Sequence, residues 1–301
     1  MSERAMEQGK KFLIINADDF GLTEGVSEGI LHAHGSGIVS STSVMMNRPF
    51  SKEALIKANA YPSLEVGVHL VFNKDRPLLP RECVPSLVDQ DGFFHKNVFL
   101  NRKKIVLDEL YQEFAAQVND YISLMDRQPS HLDCHHWGIL HLPFFKVYLQ
   151  VGQLFNVPVR VPFFDPKNYP YSSLQELLKD VPLFNLNKRL LRLRSLAADS
   201  GLVFADYFCP GFYGSKISLE SFKTQLENLP PGTAELMTHP GFADSSLYSA
   251  SSYNKLRLKE LKILTSPGLP EFLLQQDIVL TNYSELKSSA LILKNNQEIV
   301  K

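Results

Sequence analysis

The chain has 301 residues, 44% of them hydrophobic and 21% charged, which is enough apolar material for a large core in one domain spanning 1–301. A formal net charge of −1 and a pI near 6.8 give no bulk attraction to polyanions, so nucleic acid and anionic membrane surfaces are not expected as main partners. Three widely spaced cysteines, Cys83, Cys134 and Cys209, form no Cys-x-x-Cys pair, which argues against a disulfide framework and fits a reducing compartment.

Residues 1–11 are polar and mixed in charge, and the apolar run after them is too short for a signal-peptide core or a membrane span. A cytoplasmic protein without membrane insertion is expected. Phe12 to Ala17 reads as a strand, and Asp18 and Asp19 follow it directly. Adjacent carboxylates in a core would repel each other and lose hydration, so at the carboxyl end of a strand they call for a metal, a proton or water. The plainer alternative is a turn in which they only cap the next helix. Thr23 can cap a helix carrying Val26, Ile30, Ala33 and His34, stopped by Gly35 and Gly37.

A second strand is expected over 38–46 and a helix over 51–60, and Glu65 to Leu70 forms a third strand with His69 near its end. Residues 73–100 carry Pro77, Pro80, Pro85 and Asp91-Gly92 with little periodicity, and read as a long excursion that builds either a substrate wall or an irregular cap. After a helical stretch over 105–126, a strand over 130–135 ends on His135. Pro158 to Val161 is the fifth strand, with Arg160 near its end. Further strands are expected over 202–208, 234–239 and 277–281, with His239 closing the seventh. The tail 287–301 mixes Leu291, Ile292 and Leu293 with charges, and leaves a surface helix, a homo-oligomer contact and disorder all open.

About eight strands alternating with helices imply parallel strands joined by right-handed crossovers, hence a complete or distorted (β/α) barrel, with an open doubly wound sheet as the alternative. In such a barrel Asp18, Asp19, His69, His135 and His239 collect on one rim, the face where barrel enzymes work. One carboxylate and two imidazoles form a ligand set for a divalent ion that keeps positions open for water and substrate, and Asp19, His69 and His135 are assigned to it. The mixed oxygen and nitrogen shell admits zinc, magnesium or manganese. Asp18 is left to take the water proton, and His239 to protonate a leaving amine or steady an oxyanion.

Neighbouring residues have plainer roles. His131 and Asp133 share the parity of His135, and either fix imidazole orientation or are ordinary interior polar groups. Cys134 faces the other way in a strand and is read as a buried, inert thiol. Arg160 needs an anion or solvent: it pairs with Asp18, contacts substrate, or forms a structural salt bridge. His32 and His34 lie two apart on a helix and cannot readily share a metal. The loop Cys209-Pro210-Gly211-Phe212-Tyr213-Gly214 is either an aromatic-tipped flap or a turn.

Four separated motifs carry a resemblance: Asn16-Ala17-Asp18-Asp19-Phe20-Gly21, Gly67-Val68-His69, Ser130-His131-Leu132-Asp133-Cys134-His135, and Glu235-Leu236-Met237-Thr238-His239-Pro240-Gly241. In this order they resemble the YdjC-like (ChbG/HpnK) carbohydrate deacetylases over roughly residues 11–285. The resemblance implies a barrel-like, metal-dependent hydrolase that removes acetyl groups from N-acetylated sugars. It implies Asp19, His69 and His135 as metal ligands, Asp18 as base and His239 as acid. One motif departs from the family: this chain reads His135-His136-Trp137-Gly138-Ile139-Leu140-His141-Leu142-Pro143, one residue longer, and Trp137 stands where a second histidine is usual. Its indole either stacks on a pyranose or packs under a loop.

The expected activity is therefore hydrolysis of the acetamido C–N bond of an N-acetylated sugar or sugar conjugate, with a small-molecule partner. The rivals are a metal-dependent phosphoesterase on a similar barrel, which would need more cationic groups than Arg160, and a non-catalytic sugar-binding protein.

Overall fold

The first apolar run becomes the longest strand of a computed structural model that describes residues 9–214 and 217–290. This strand is β1 (Lys11–Phe20), followed by β2 (Ser41–Val44), β3 (Glu65–Leu70), β4 (Leu132–Cys134), β5 (Tyr207–Cys209), β6 (Gly232–Thr238) and β7 (Ile278–Leu280). Every pairing between them is parallel, in the order β4-β3-β2-β1-β6-β5. One edge of β1 carries β6 from Lys11 to Ala17; on the other, β7 pairs with Lys11 to Leu13 and β2 with Asn16 onward. Alternation along β1 sorts its side chains: Leu13, Ile15 and Ala17 enter the apolar core, whereas Asn16 and Asp18 bond to each other on the opposite face.

Among the described residues seven strands form where about eight were expected, and the missing one is the fifth. Between β4 and β5 the segment 158–163 makes a single parallel bridge, Val159 to Leu132. Arg160 N donates to Leu132 O at 2.8 Å, and Phe208 N donates to Phe163 O at 3.2 Å, so this segment still fills the gap between the sheet's two ends. Pro158 and Pro162 have no N–H to give, which is why a ladder does not propagate there. The result is a distorted barrel whose fifth stave is a seam. The strand expected over 202–208 likewise begins only at Tyr207.

Thr23 caps the helix Glu24–Gly35, accepting from Val26 N at 3.2 Å. That helix packs directly on the loop after β6, where Phe242 N donates to Gly25 O at 2.9 Å and Asp244 accepts from Gly25 N at 2.6 Å. Gly29 makes the approach possible, because a Cβ there would stand 2.5 Å from Gly241 Cα and 2.7 Å from Phe242 N. Gly29→Ala is therefore expected to destabilise the protein by about 1–3 kcal/mol despite alanine's better helix propensity, read as a lower urea midpoint.

The excursion after β3 is irregular, with one antiparallel bridge, Val88 to Phe94. It is pinned by the helix Leu107–Met125, whose buried Glu113 accepts from Leu78 N and Leu79 N at 3.0 Å each. Gln117 on the same helix bonds both N–H and C=O of Val71. Among the described residues no helix is long and apolar enough to cross a membrane. Of the tail, residues 283–290 are helical, and 291–301 lie outside the described residues.

Candidate active site

Adjacent strand residues normally face opposite ways, yet Asp18 and Asp19 reach the same cavity. The register explains it. Ala17 pairs with Thr42 but Phe20 with Val44, so two residues of β1 oppose one of β2 in a bulge. Asp19 sits in the bulge with φ 70°, a left-handed conformation that aspartate tolerates better than most residues.

Asp19 Oδ1 lies 3.0 Å from His135 Nδ1 and 3.3 Å from His69 Nε2, and the two imidazole nitrogens are 3.3 Å apart. All three residues are buried. Asp133 Oδ1 accepts from His69 Nδ1 at 2.7 Å, which fixes the ring so that Nε2 is the nitrogen directed at Asp19 and His135. Burial alone would lower the His69 pKa, but Asp133 and Asp19 raise it to about 10. Burial pushes the Asp19 carboxyl up, and Arg257, His135 and His69 outweigh this and hold it well below the usual range. The centre of this triangle therefore favours positive charge, and its three donors fit a divalent cation.

Asp133 is the only one of the two expected orienting residues to do so, and it orients His69. His131 instead bonds Ser130 Oγ at 2.9 Å and stacks on Tyr283 with ring centres 4.0 Å apart. Ser43 Oγ donates to Asp133 Oδ2 at 2.7 Å, fixing the carboxylate in turn. Asp133→Asn is expected to weaken cation binding about 10–100-fold, measured by calorimetric titration of zinc into chelator-stripped protein.

Asp18, Asp133 and His69 also lie close enough to form a second acidic group. There Arg160 already supplies the cation. Its Nη1 and Nη2 grip Asp18 at 2.7 Å each, Nη1 reaches Asp133 at 3.0 Å, and Nε donates to Glu235 at 2.7 Å. All three nitrogens are committed to carboxylates, so Arg160 positions Asp18, and it also lines the cavity. Tyr283 donates to Glu235 Oε2 at 2.5 Å, and burial, working against Arg160 and Tyr283, pushes the Glu235 carboxyl up to about 7.

His239 stands half-buried at the end of β6, edge-on to Tyr213 and Tyr253 at 5.5 and 5.7 Å between ring centres. Burial lowers its pKa to about 4, against the pull of Asp18 and Asp19. Its backbone N–H donates to Glu260 Oε2 at 2.5 Å, and Glu260 also accepts from Tyr253 OH at 2.5 Å. Trp137, half-buried, donates Nε1–H to Leu177 O at 2.8 Å and meets Phe164 and Phe208 edge-to-face. It both packs and lines the cavity, so the two readings of the indole are compatible. Cys134 is buried in the apolar core, where burial first, then Asp133, raises its thiol well above the usual value.

Sequence reasoning missed Arg257, whose Nη2 donates to Asp19 Oδ2 at 2.5 Å, and Glu260. Both lie on the helix Lys255–Leu264 at positions 257 and 260, in a buried stripe with Leu261 and Leu264. Charges on an otherwise apolar helical stripe were the available signal. Asn16, Ser43 and Glu235 were also missed, although each is a polar residue in the inward parity of a buried strand.

The cavity that these residues line measures about 300 Å³, at the small end for ligand pockets. The sequence profile of the YdjC-like protein family matches residues 12–275. Among similar relatives is a carbohydrate deacetylase of Thermoanaerobacter pseudethanolicus, 32% identical over 92% of this chain and 100% of its own length. Another, a carbohydrate deacetylase of Enterococcus faecalis, is 33% identical over 92% of this chain and 98% of its own. A crystal structure from Enterococcus faecalis V583, described as a "putative cellobiose-phosphate cleavage protein", aligns with a TM-score of 0.78 at 32% identity, covering 92% of this chain and 99% of the other. The profile match, the full-length relatives and the shared fold agree: this chain belongs to the YdjC-like protein family.

Proposed function

We propose that the protein is a metal-dependent hydrolase that removes the acetyl group from an N-acetylated sugar or sugar conjugate. The observation that carries this reading is the meeting of Asp19, His69 and His135, with donor atoms 3.0–3.3 Å apart, in one cavity with Asp18 and His239. The naming of full-length relatives as carbohydrate deacetylases supports the substrate class. A zinc or magnesium ion held by those three residues would lower the pKa of bound water and polarise the acetyl carbonyl.

The chain's own groups handle orientation and protons. Asp18, fixed by Arg160 and by Asn16 Nδ2 at 2.8 Å, accepts the proton of the attacking water. The new bond joins the water oxygen to the acetyl carbon; the C–N bond breaks, and the amine takes up a proton as acetate leaves. His239 binds a proton weakly, so a proton placed there passes readily to the more basic amine. Trp137 and Phe208 give the sugar an apolar wall. A small-molecule substrate and a cytoplasmic setting complete the proposal.

The test is acetate release from a panel of N-acetylated mono- and oligosaccharides by native, chelated, metal-restored and His135→Ala protein. Release is expected only from native and metal-restored protein. Release that ignores chelation, or none from any sugar, would overturn the reading.

A further inference from the structure

Two guanidiniums are buried at this rim, and only one is fully used. Arg160 places every nitrogen on a carboxylate. Arg257, 2% exposed, donates Nε–H to Tyr253 O at 2.9 Å and Nη2 to Asp19 Oδ2 at 2.5 Å, while its buried Nη1 has no protein partner. Leaving a buried charged donor without an acceptor is costly, so such a group points to a ligand.

The location narrows the ligand. Arg257 lines the cavity beside Asp18 and His239. His239 Nδ1, His135 Nε2 and Asn73 Oδ1 are also buried without protein partners, and their residues line the same cavity. Arg257 alone among these four carries a permanent positive charge, and its planar fork can serve two oxygens at once. Its backbone is anchored too, since Gly241 N donates to Arg257 O at 3.3 Å, tying it to the loop that follows His239. An acceptor suited to this donor carries negative charge next to the Asp19 carboxylate.

We propose that Arg257 Nη1 receives the acetyl oxygen of the substrate, stabilising the charge that gathers there as water adds and then holding the carboxylate of the released acetate. In this arrangement Nη2 keeps Asp19 Oδ2 occupied, so that Oδ1 alone faces the two imidazoles. The inference rests on the deacetylase reading for its chemistry, and its test does not need turnover.

Sodium acetate is titrated calorimetrically into zinc-loaded native, Arg257→Lys and Arg257→Gln protein, with zinc affinity and melting temperature measured on each. Lysine keeps the charge and can reach Asp19, but it lacks the second branch of the fork. Acetate is expected to bind the lysine variant about tenfold more weakly or worse, with zinc affinity within about threefold of native. For Arg257→Gln, turnover at saturating zinc is expected to fall about 10²–10³-fold with little change in KM. If Gln does not fold, the Lys variant decides. Equal acetate affinity in native and lysine protein overturns the proposal, and so does a loss that saturating zinc restores, since Arg257 would then act only through Asp19. Should native protein bind acetate through Arg257 yet free none from any sugar, the deacetylase reading fails and the anion site stands.

Discussion

Asp18→Asn is expected to lower turnover in acetate release about 10²–10⁴-fold while cation affinity stays within a few-fold of native. The side chain is nearly isosteric, and the three proposed ligands are untouched. What changes is proton acceptance: an amide oxygen has almost no basicity, and the amide NH₂ meets the donor fork of Arg160 where Oδ1 and Oδ2 now accept at 2.7 Å. Single-turnover kinetics beside zinc titration separate the two quantities. Parallel losses in rate and zinc affinity would instead make Asp18 part of the cation's cage. A rate within threefold of native would remove it as the base.

Arg160→Met should be the most damaging single change to stability. It leaves Asp18, Asp133 and Glu235 buried around an apolar side chain, and breaking a buried ion pair in this way costs about 3–5 kcal/mol. Chemical denaturation at neutral pH measures it. The pH dependence has a definite sign. Glu235, raised from 4.5 to about 7 even with Arg160 present, contributes stability that is full below 4.5 and is lost as pH rises through 7. Arg160 pulls Glu235 and Asp133 down, so removing the guanidinium lets both carboxyls rise, and the gap between variant and native should narrow as pH falls from 7 toward 5. A gap that is constant with pH would mean that lost packing, not charge, dominates.

Much of this site was readable because polar residues at strand ends are conspicuous after apolar runs. His69 lies next to the end of a run whose expected bounds, Glu65 to Leu70, are those observed, and Asp19, His69 and His135 do meet. Thr23 acts as the expected cap because an N-cap is a local hydrogen bond. What could not be read depends on partners distant in the chain. The bulge at Asp18-Asp19 exists only in the register between β1 and β2, and Arg257 arrives from a helix 238 residues beyond Asp19. The fifth strand was overcounted because Val159, Arg160 and Val161 have strand composition, while the two prolines beside them decide the ladder. Arg160 was recognised as needing an anion, but that it needs three follows only from the inward parity of β1, β4 and β6.

The extra residue in β1 has a mechanical consequence. His69, His135 and His239 come from different staves, so the distances between them depend on how the staves are set against one another. Asp18 and Asp19 are joined by a single peptide unit, and their α-carbons are about 3.8 Å apart whatever the barrel does. The proposed proton acceptor and the proposed cation ligand are thus held at a fixed spacing by the chain itself. A one-residue deletion here would remove the bulge and with it one of the two carboxylates from the cavity.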